Sequence, residues 1–376
     1  MNNQFKPRFP QPRMPLPALT GIRFFAAFYV LLFHALPWLS SHFKLPLPLR
    51  VFLSNGYLAV ALFFLLSGFI LAYTYQGHIG GTHNRVRFWQ ARFARIYPVY
   101  ILSLLLALPF QRHLTLGSAL SVLAMVQAWN PWHREWTGAW NYPAWSLSVE
   151  GFFYLCFPFI QNVLNRLNRR NLVISIGVTG LLCVLGHTPT LGLGNWDPSW
   201  ALTRLLPLPV LRLPDFVLGV SLGNLFLRHQ PLVSRTQIAA VAIAAVVTLL
   251  SLPIGPWVSL VIIPFGVLVY QLAGNGNRIS VFFSTPLMVL LGGASYAIYL
   301  LQAPFRDWMR ILFVHAPEGV AELGTPATPI LLVLLSIVVF KYWEEPWRRT
   351  IRCWTSTPVW RRNNPTADSC EVDQGS

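Results

Sequence analysis

Charge is what this 376-residue sequence has least of: 11% of its residues are charged, against 54% that are hydrophobic. A chain so poor in charge cannot clothe a folded surface in water, which excludes an ordinary soluble enzyme or binding module. Acidic residues are scarcer still, 12 against 28 basic ones, and lysine is confined to Lys6, Lys44 and Lys341. A net charge of +16 would suggest a nucleic-acid partner in a soluble protein. Here the basic residues sit between apolar segments, as orientation in a membrane requires, so no nucleic-acid partner is expected. Cysteine is also sparse. Cys156, Cys183, Cys353 and Cys370 show no paired spacing, which argues against a disulfide framework and a zinc site, and no metal is predicted. Nor is an internal repeat visible, which weighs against an inverted-repeat transporter.

What the sequence does have is long apolar runs, such as IAAVAIAAVVTLLSL from Ile238 to Leu252. Such runs are apolar all round and belong in lipid. The expected fold class is therefore an all-α polytopic membrane protein, a bundle of about ten transmembrane helices. The spans fall near 18–38, 57–75, 96–110, 144–164, 172–187, 206–227, 236–252, 257–273, 286–304 and 326–345. The basic tail before the first run resembles a signal peptide, but Arg23 interrupts the run and many spans follow, so an uncleaved first helix is expected. Flanking it are an N-terminal tail, 1–17, and a C-terminal tail, 350–376, both read as cytoplasmic, with the transmembrane domain at 18–349 between them.

The stretch 114–129 decides the topology. If it does not cross, Lys6, Arg8, Arg13, Arg85, Arg87, Arg92, Arg95, Arg166, Arg169, Arg170, Arg228, Arg235, Arg278, Arg348, Arg349, Arg352, Arg361 and Arg362 share one side, eighteen in all. Seven face the other: Lys44, Arg50, Arg112, Arg134, Arg204, Arg306 and Arg310. This bias makes the first side cytoplasmic, places both termini there, and leaves 114–129 interfacial or re-entrant. If the stretch did cross, the bias would largely vanish.

An ionisable side chain at membrane depth costs several kcal/mol unless it is paired or wet, so each one is a functional candidate. In GIRFFAAFYVLLFHA, Arg23 and His34 are eleven residues apart, hence on one helix face within about 20° and separated by about 16 Å. Arg23 alone also suits a snorkelling flank residue. Neutral imidazole is the usual general base near pH 7, and His34 shares its face with a cation. Arg92 and Arg95, three apart, form a natural fork-shaped clamp for phosphate, although any cytoplasmic loop carries some arginine. Ser67-Gly68-Phe69 reads as a packing site, with no base for Ser67 adjacent in sequence. Glu150, flanked by Trp145, Phe152 and Phe153, is an acid in an apolar span and marks a site. Arg212 and Asp215, three apart, read as a self-satisfying ion pair. Counted from the outer ends of their spans, His34, Glu150 and Asp215 are expected at similar depth in the outer half, with the arginines in the inner half.

These segments occur in a telling order: LTGIRFFAAFYVLLFHA, FFLLSGFILA, RFARIYP, AWSLSVEGFFY, RLPDFVLG, SYAIYLLQAP and EEPWRR. From about Leu19 to Arg349 the chain resembles the membrane acyltransferase-3 family of O-acyltransferases, without the extracellular hydrolase-like domain that some members append. The resemblance implies transfer of an acetyl or other short acyl group from cytoplasmic acyl-coenzyme A, acetyl-CoA above all, to a hydroxyl of a glycan or lipid-linked sugar in envelope or exopolysaccharide modification. It implies a multi-pass protein of a bacterial inner membrane. It also implies His34 and Glu150 as catalytic residues and Arg23, Arg92 and Arg95 as the donor-binding set. Ser67, Trp145, Ser146, Arg212, Asp215, Tyr296 and Gln302 are the supporting candidates. Gln302 stands where the family stretch usually has histidine, and glutamine cannot take a proton near neutrality. His34 is therefore expected to act with Glu150 alone, either as a general base or through an acyl-histidine. The alternative is a transporter or flippase for an anionic or sugar substrate, with the same residues as its binding site.

Overall fold

The computed structural model describes residues 14–77, 79–111, 115–187, 206–229, 235–274, 276–314 and 318–355. Among them the regular secondary structure is entirely helical. The helices are α1 (Pro17–His42), α2 (Leu47–Ser54), α3 (Ala59–Tyr75), α4 (Thr82–Ala107), α5 (Leu116–Leu123), α6 (Trp145–Arg166) and α7 (Arg169–His187). There follow α8 (Leu208–His229), α9 (Thr236–Ser251), α10 (Ile262–Ala273), α11 (Arg278–Phe283), α12 (Pro286–Val314), α13 (Glu318–Val339) and α14 (Glu345–Thr355). Among the described residues nine helical segments are long and apolar enough to cross a membrane, and α9, an apolar helix of 16 residues, is the short tenth. The ten expected spans are all helical in this multi-pass bundle.

Three boundaries differ from expectation, each because arginine is a good helix former that hydropathy overlooks. The stretch Arg85 to Arg95, read as a loop, belongs to α4, which begins at Thr82. α12 runs on through Arg306 and Arg310 to Val314. α13 continues through a π-helical turn, Phe340–Glu344, into α14, so helix crosses the expected domain boundary at 349. The tails 1–13 and 356–376 lie outside the described residues.

Within 114–129 the helix is α5, eight residues opened by a Thr115/Ser118 capping box. At about 12 Å it is far too short to span ~30 Å of hydrocarbon. The segment after it tucks into the bundle through hydrogen bonds to backbone: Tyr100 Oη donates to the Val122 carbonyl (2.6 Å) and Trp129 Nε1 to that of Ser148 (2.8 Å). Asn141, 1% exposed, donates to Ser103 Oγ (3.0 Å) and to the Leu300 carbonyl (2.9 Å). Leu300 lies fourteen residues before the end of α12, so α6 starts about 20 Å below that end. This recess matters for the site.

Glycine sets the close approaches. α3 packs along α8, where a Cβ at Gly68 would lie 2.2 Å from the Phe216 carbonyl oxygen and one at Gly219 2.0 Å from that of Leu65. Gly219 and Gly223 form the small-xxx-small spacing that lets membrane helices meet backbone to backbone. α1 packs on α12 in the same way, a Cβ at Gly292 falling 2.0 Å from the Thr20 carbonyl oxygen. Polar clamps complete the frame: Gln161 of α6 and Asn224 of α8 exchange hydrogen bonds at 3.2 and 3.0 Å. Arg228 donates to the carbonyls of Leu164, Asn165 and Leu167 at the C-terminus of α6, where a cation is favoured.

Candidate active site

α1, α3, α4, α6, α12 and the turn into α14 surround a cavity of about 850 Å³. Its wall carries Arg23, Arg92 and Arg95 together with Ser67, Ser146, Glu150 and Tyr296, so seven of the residues singled out from sequence converge on one space. The glycine contact between α1 and α12 brings Arg23 beside Tyr296. The i, i+3 spacing on α4 turns Arg92 and Arg95 toward the same space.

The three guanidinium groups are not equivalent. Arg92 is 8% exposed, stacks on the rings of Tyr75 (5.5 Å) and Phe88 (5.8 Å), and donates to Tyr75 Oη (3.2 Å). Its Nε has no partner. Arg23 and Arg95 make no hydrogen bond and no ion pair within 4 Å among the described residues. Two part-buried cations with their donors unspent, and a third with one hydrogen bond made among the described residues, are arranged to receive an anion with several oxygens.

Glu150 is the acid in this cavity. Its Oε1 accepts from Ser67 Oγ (2.8 Å) and from Tyr154 Oη (2.5 Å). The structure therefore does not bring Glu150 to His34, and the expectation of equal depth is corrected by the recess of α6. Gly56 packs on Phe33, next to His34, whereas Ser67 lies eleven residues further along α3, about 16 Å inward and close to the level of Arg23.

His34 lies outside the residues that line the cavity. Its Nδ1 donates to the Val30 carbonyl (2.9 Å), one turn back on α1. A carbonyl can only accept, so the proton sits on Nδ1 and the basic lone pair is on Nε2. The ring meets Phe33 (centroids 5.0 Å) and Tyr142 (6.1 Å), with Gln302 and Arg306 as its polar neighbours. Gln302, 5% exposed, donates through Nε2 to the Tyr299 carbonyl (2.8 Å), while its Oε1 has no partner. Tyr299 and Phe63, in edge contact at 6.0 Å, line the outer part of the cavity, as does Val60. Gln302 is three residues, about one turn, beyond Tyr299. Gln302, beside the imidazole, thus stands about one helical turn from the cavity wall at Tyr299.

The remaining candidates stand at the margins. Trp145 packs edge-on against Phe64 (6.3 Å), Ser146 donates to the Pro143 carbonyl (3.0 Å), and Tyr296 donates to that of Ile96 (2.7 Å). Arg212 and Asp215 lie away from the cavity wall, and His187 stands between them. Asp215 accepts from His187 Nε2 at 3.0 Å, and Arg212 donates to Nδ1 of the same ring at 2.8 Å and to the Gly186 carbonyl. The self-satisfying pair is thus a buried three-residue cluster tying α7 to α8. His187, at the end of α7, offered no periodicity to reveal it. Among the described residues no three His, Cys, Asp or Glu side chains gather to hold a metal ion.

Sequence reasoning missed Tyr154, Tyr75, Glu344 and Arg348, all on the cavity wall. Tyr154 follows Glu150 by four residues, and that spacing was available as a signal. Glu344 is 4% exposed, with its Oε2 unpartnered among the described residues. The π-turn carries it inward, as such turns often do at functional sites.

Comparison with known proteins follows the same lines. A family description, "Acyltransferase domain", matches residues 16–341. Acyltransferase MdmB of Streptomyces mycarofaciens is 31% identical over 339 residues, covering 82% of this chain and 82% of that protein. O-acetyltransferase OatA of Staphylococcus aureus is 23% identical over 384 residues, covering 93% of this chain and 59% of that longer protein. Protein 2 in picA locus of Rhizobium radiobacter is 52% identical, over a stretch of 54 residues that is 14% of this chain and 28% of that protein. No solved structure matches.

Proposed function

This chain belongs to the acyltransferase-3 family of membrane O-acyltransferases, and we propose that it moves an acetyl or other short acyl group from cytoplasmic acyl-coenzyme A to a hydroxyl of a glycan or lipid-linked sugar across the membrane. The setting is envelope or exopolysaccharide modification in a bacterial inner membrane, in keeping with a relative that bears the name O-acetyltransferase. The observation that carries the reading is the pair of arginines, Arg23 and Arg95, without a hydrogen bond or close ion pair among the described residues, in a cavity of about 850 Å³ whose wall at Tyr299 comes within about one helical turn of the Gln302 beside the imidazole.

The division of labour follows from the chemistry of these groups. Arg23, Arg92 and Arg95 bind the donor's phosphates, each offering a planar fork of N–H donors. The acyl arm then runs outward between α3, α6 and α12, and the Phe63–Tyr299 contact parts to admit the thioester. His34 Nε2 takes the proton of the acceptor hydroxyl, held in the right tautomer by the Val30 carbonyl. The hydroxyl oxygen adds to the thioester carbonyl, the carbon–sulfur bond breaks, and the proton passes from the imidazolium to the departing thiolate. An acyl-histidine would use the same residue as nucleophile. Both routes need Nε2 free.

The test is transfer by purified protein with labelled acetyl-CoA and a glycan hydroxyl acceptor. His34→Ala should abolish acceptor labelling while leaving donor binding intact. Labelling that persists in this variant ends the assignment.

A further inference from the structure

We propose that Glu150 is not the acid partner of the imidazole but the hydrogen-bond acceptor for a secondary amide N–H in the arm of the acyl donor. The proposal rests on the donor reading above and gives one position in the cavity a definite ligand chemistry.

Four observations point to it. The post that a carboxylate would fill behind His34 is already taken by the Val30 carbonyl. The two hydroxyl donors of Ser67 and Tyr154 converge on one oxygen, Oε1. That leaves Oε2 with no protein donor among the described residues, and it is not one of the sealed, unpartnered buried atoms, so it opens onto the cavity whose wall Glu150 forms. Its height also fits. Ser67 lies eight residues before Tyr75 on α3, about 12 Å outward of the ring that holds Arg92, and four residues, about 6 Å, inward of Phe63.

A ligand anchored by phosphates at Arg92 and reaching toward Phe63 must therefore pass this carboxylate. The wall around it, Val60, Phe64, Ile96 and Leu147, offers apolar surface. An amide N–H carried into such surroundings costs free energy unless it finds an acceptor, and the Glu150 carboxylate is the strongest one at hand. Thioester donors with phosphates at one end and secondary amides along the arm match this sequence of groups.

The experiment uses the full-length purified protein with acetyl-CoA and two analogues in which one or the other pantetheine amide N–H is replaced by an ester oxygen. In the wild type, one of the two analogues should show a KM at least about tenfold above that of acetyl-CoA, because a charge-assisted bond is exchanged for oxygen facing oxygen. Glu150→Gln keeps the shape and can donate to the ester oxygen. It should raise the KM for acetyl-CoA and shrink the amide-over-ester preference to within about twofold. Ser67→Ala, which removes a donor from the other carboxylate oxygen, should retain the preference.

Equal KM values for all three donors in the wild type overturn the proposal. So does a preference that survives in E150Q, or an E150Q variant that loses turnover about a hundredfold at unchanged donor KM, which would return Glu150 to acid–base chemistry. Failure of the donor reading looks different: the wild type then consumes no acetyl-CoA at all.

Discussion

Replacing Arg95 by methionine should weaken the loaded protein far more than the empty one. In the empty protein Arg95 has no ion pair within 4 Å and no hydrogen bond among the described residues; it shares the cavity with Arg23 and Arg92, but also with Glu150 and Glu344, whose carboxylates favour its charge. These opposing neighbours leave its removal worth no more than about 1 kcal/mol in the empty protein. Loading adds a much larger effect. The guanidinium has its whole fork available for phosphate, and a charge-assisted contact of this kind contributes about 1.5–3 kcal/mol, a donor affinity change of about 10- to 150-fold. At a donor concentration of about 100 Kd the wild type gains about 2.7 kcal/mol of stability; with Kd raised by that factor, R95M gains about 0.3–1.4 kcal/mol. The assay is the Tm of purified protein with and without acetyl-CoA, beside donor KM from labelled transfer. Arg92→Met is the contrast, since Arg92 also stacks on Tyr75 and Phe88 and its loss should lower Tm in the empty protein. An R95M protein that keeps the wild-type KM, or that gains as much Tm from acetyl-CoA as the wild type does, refutes the anion-clamp reasoning.

Four further outcomes follow from the geometry. His34→Gln should lower kcat by about a thousandfold or more with donor KM little changed, which steady-state transfer kinetics will check, because only the free Nε2 base is lost. Gln302→Leu should lower kcat several-fold, by about 1 kcal/mol, since the amide beside the imidazole disappears, whereas Gln302→His should add an ionisation to the pH–rate profile that the wild type lacks. Gly219→Val should abolish folding or lower Tm sharply in detergent-based melting assays, since its Cβ would meet the Leu65 carbonyl oxygen at 2.0 Å. Asp215→Asn, which breaks the buried cluster with His187 and Arg212, should cost about 3–5 kcal/mol of stability yet leave the donor KM of the surviving folded protein unchanged.

The spans were legible because apolar runs need no tertiary information to declare themselves, Arg23 because charge inside such a run is costly, and Arg92 and Arg95 by their spacing of three. The helical start of α4 was not, since hydropathy is blind to an arginine-bearing helix. Glu150 was placed on the correct face but at the wrong height. Depth was counted from the start of its own span, and that start is drawn inward by Asn141 reaching Leu300, a contact 159 residues apart that no local pattern encodes. The same limit hid Glu344, whose inward turn depends on a π-helical register rather than on composition.

The glycine seams bear on which walls of the chamber can move. Where α3 meets α8, and α1 meets α12, backbone touches backbone, so these helix pairs are held at a fixed separation. The opposite side is different: there the ring of Phe340 rests over Gly293, a Cβ at that glycine falling 2.6 Å from its tip. Swinging that one ring would widen the chamber near Tyr296 without disturbing the frame, so its width at that level is set by a single movable aromatic.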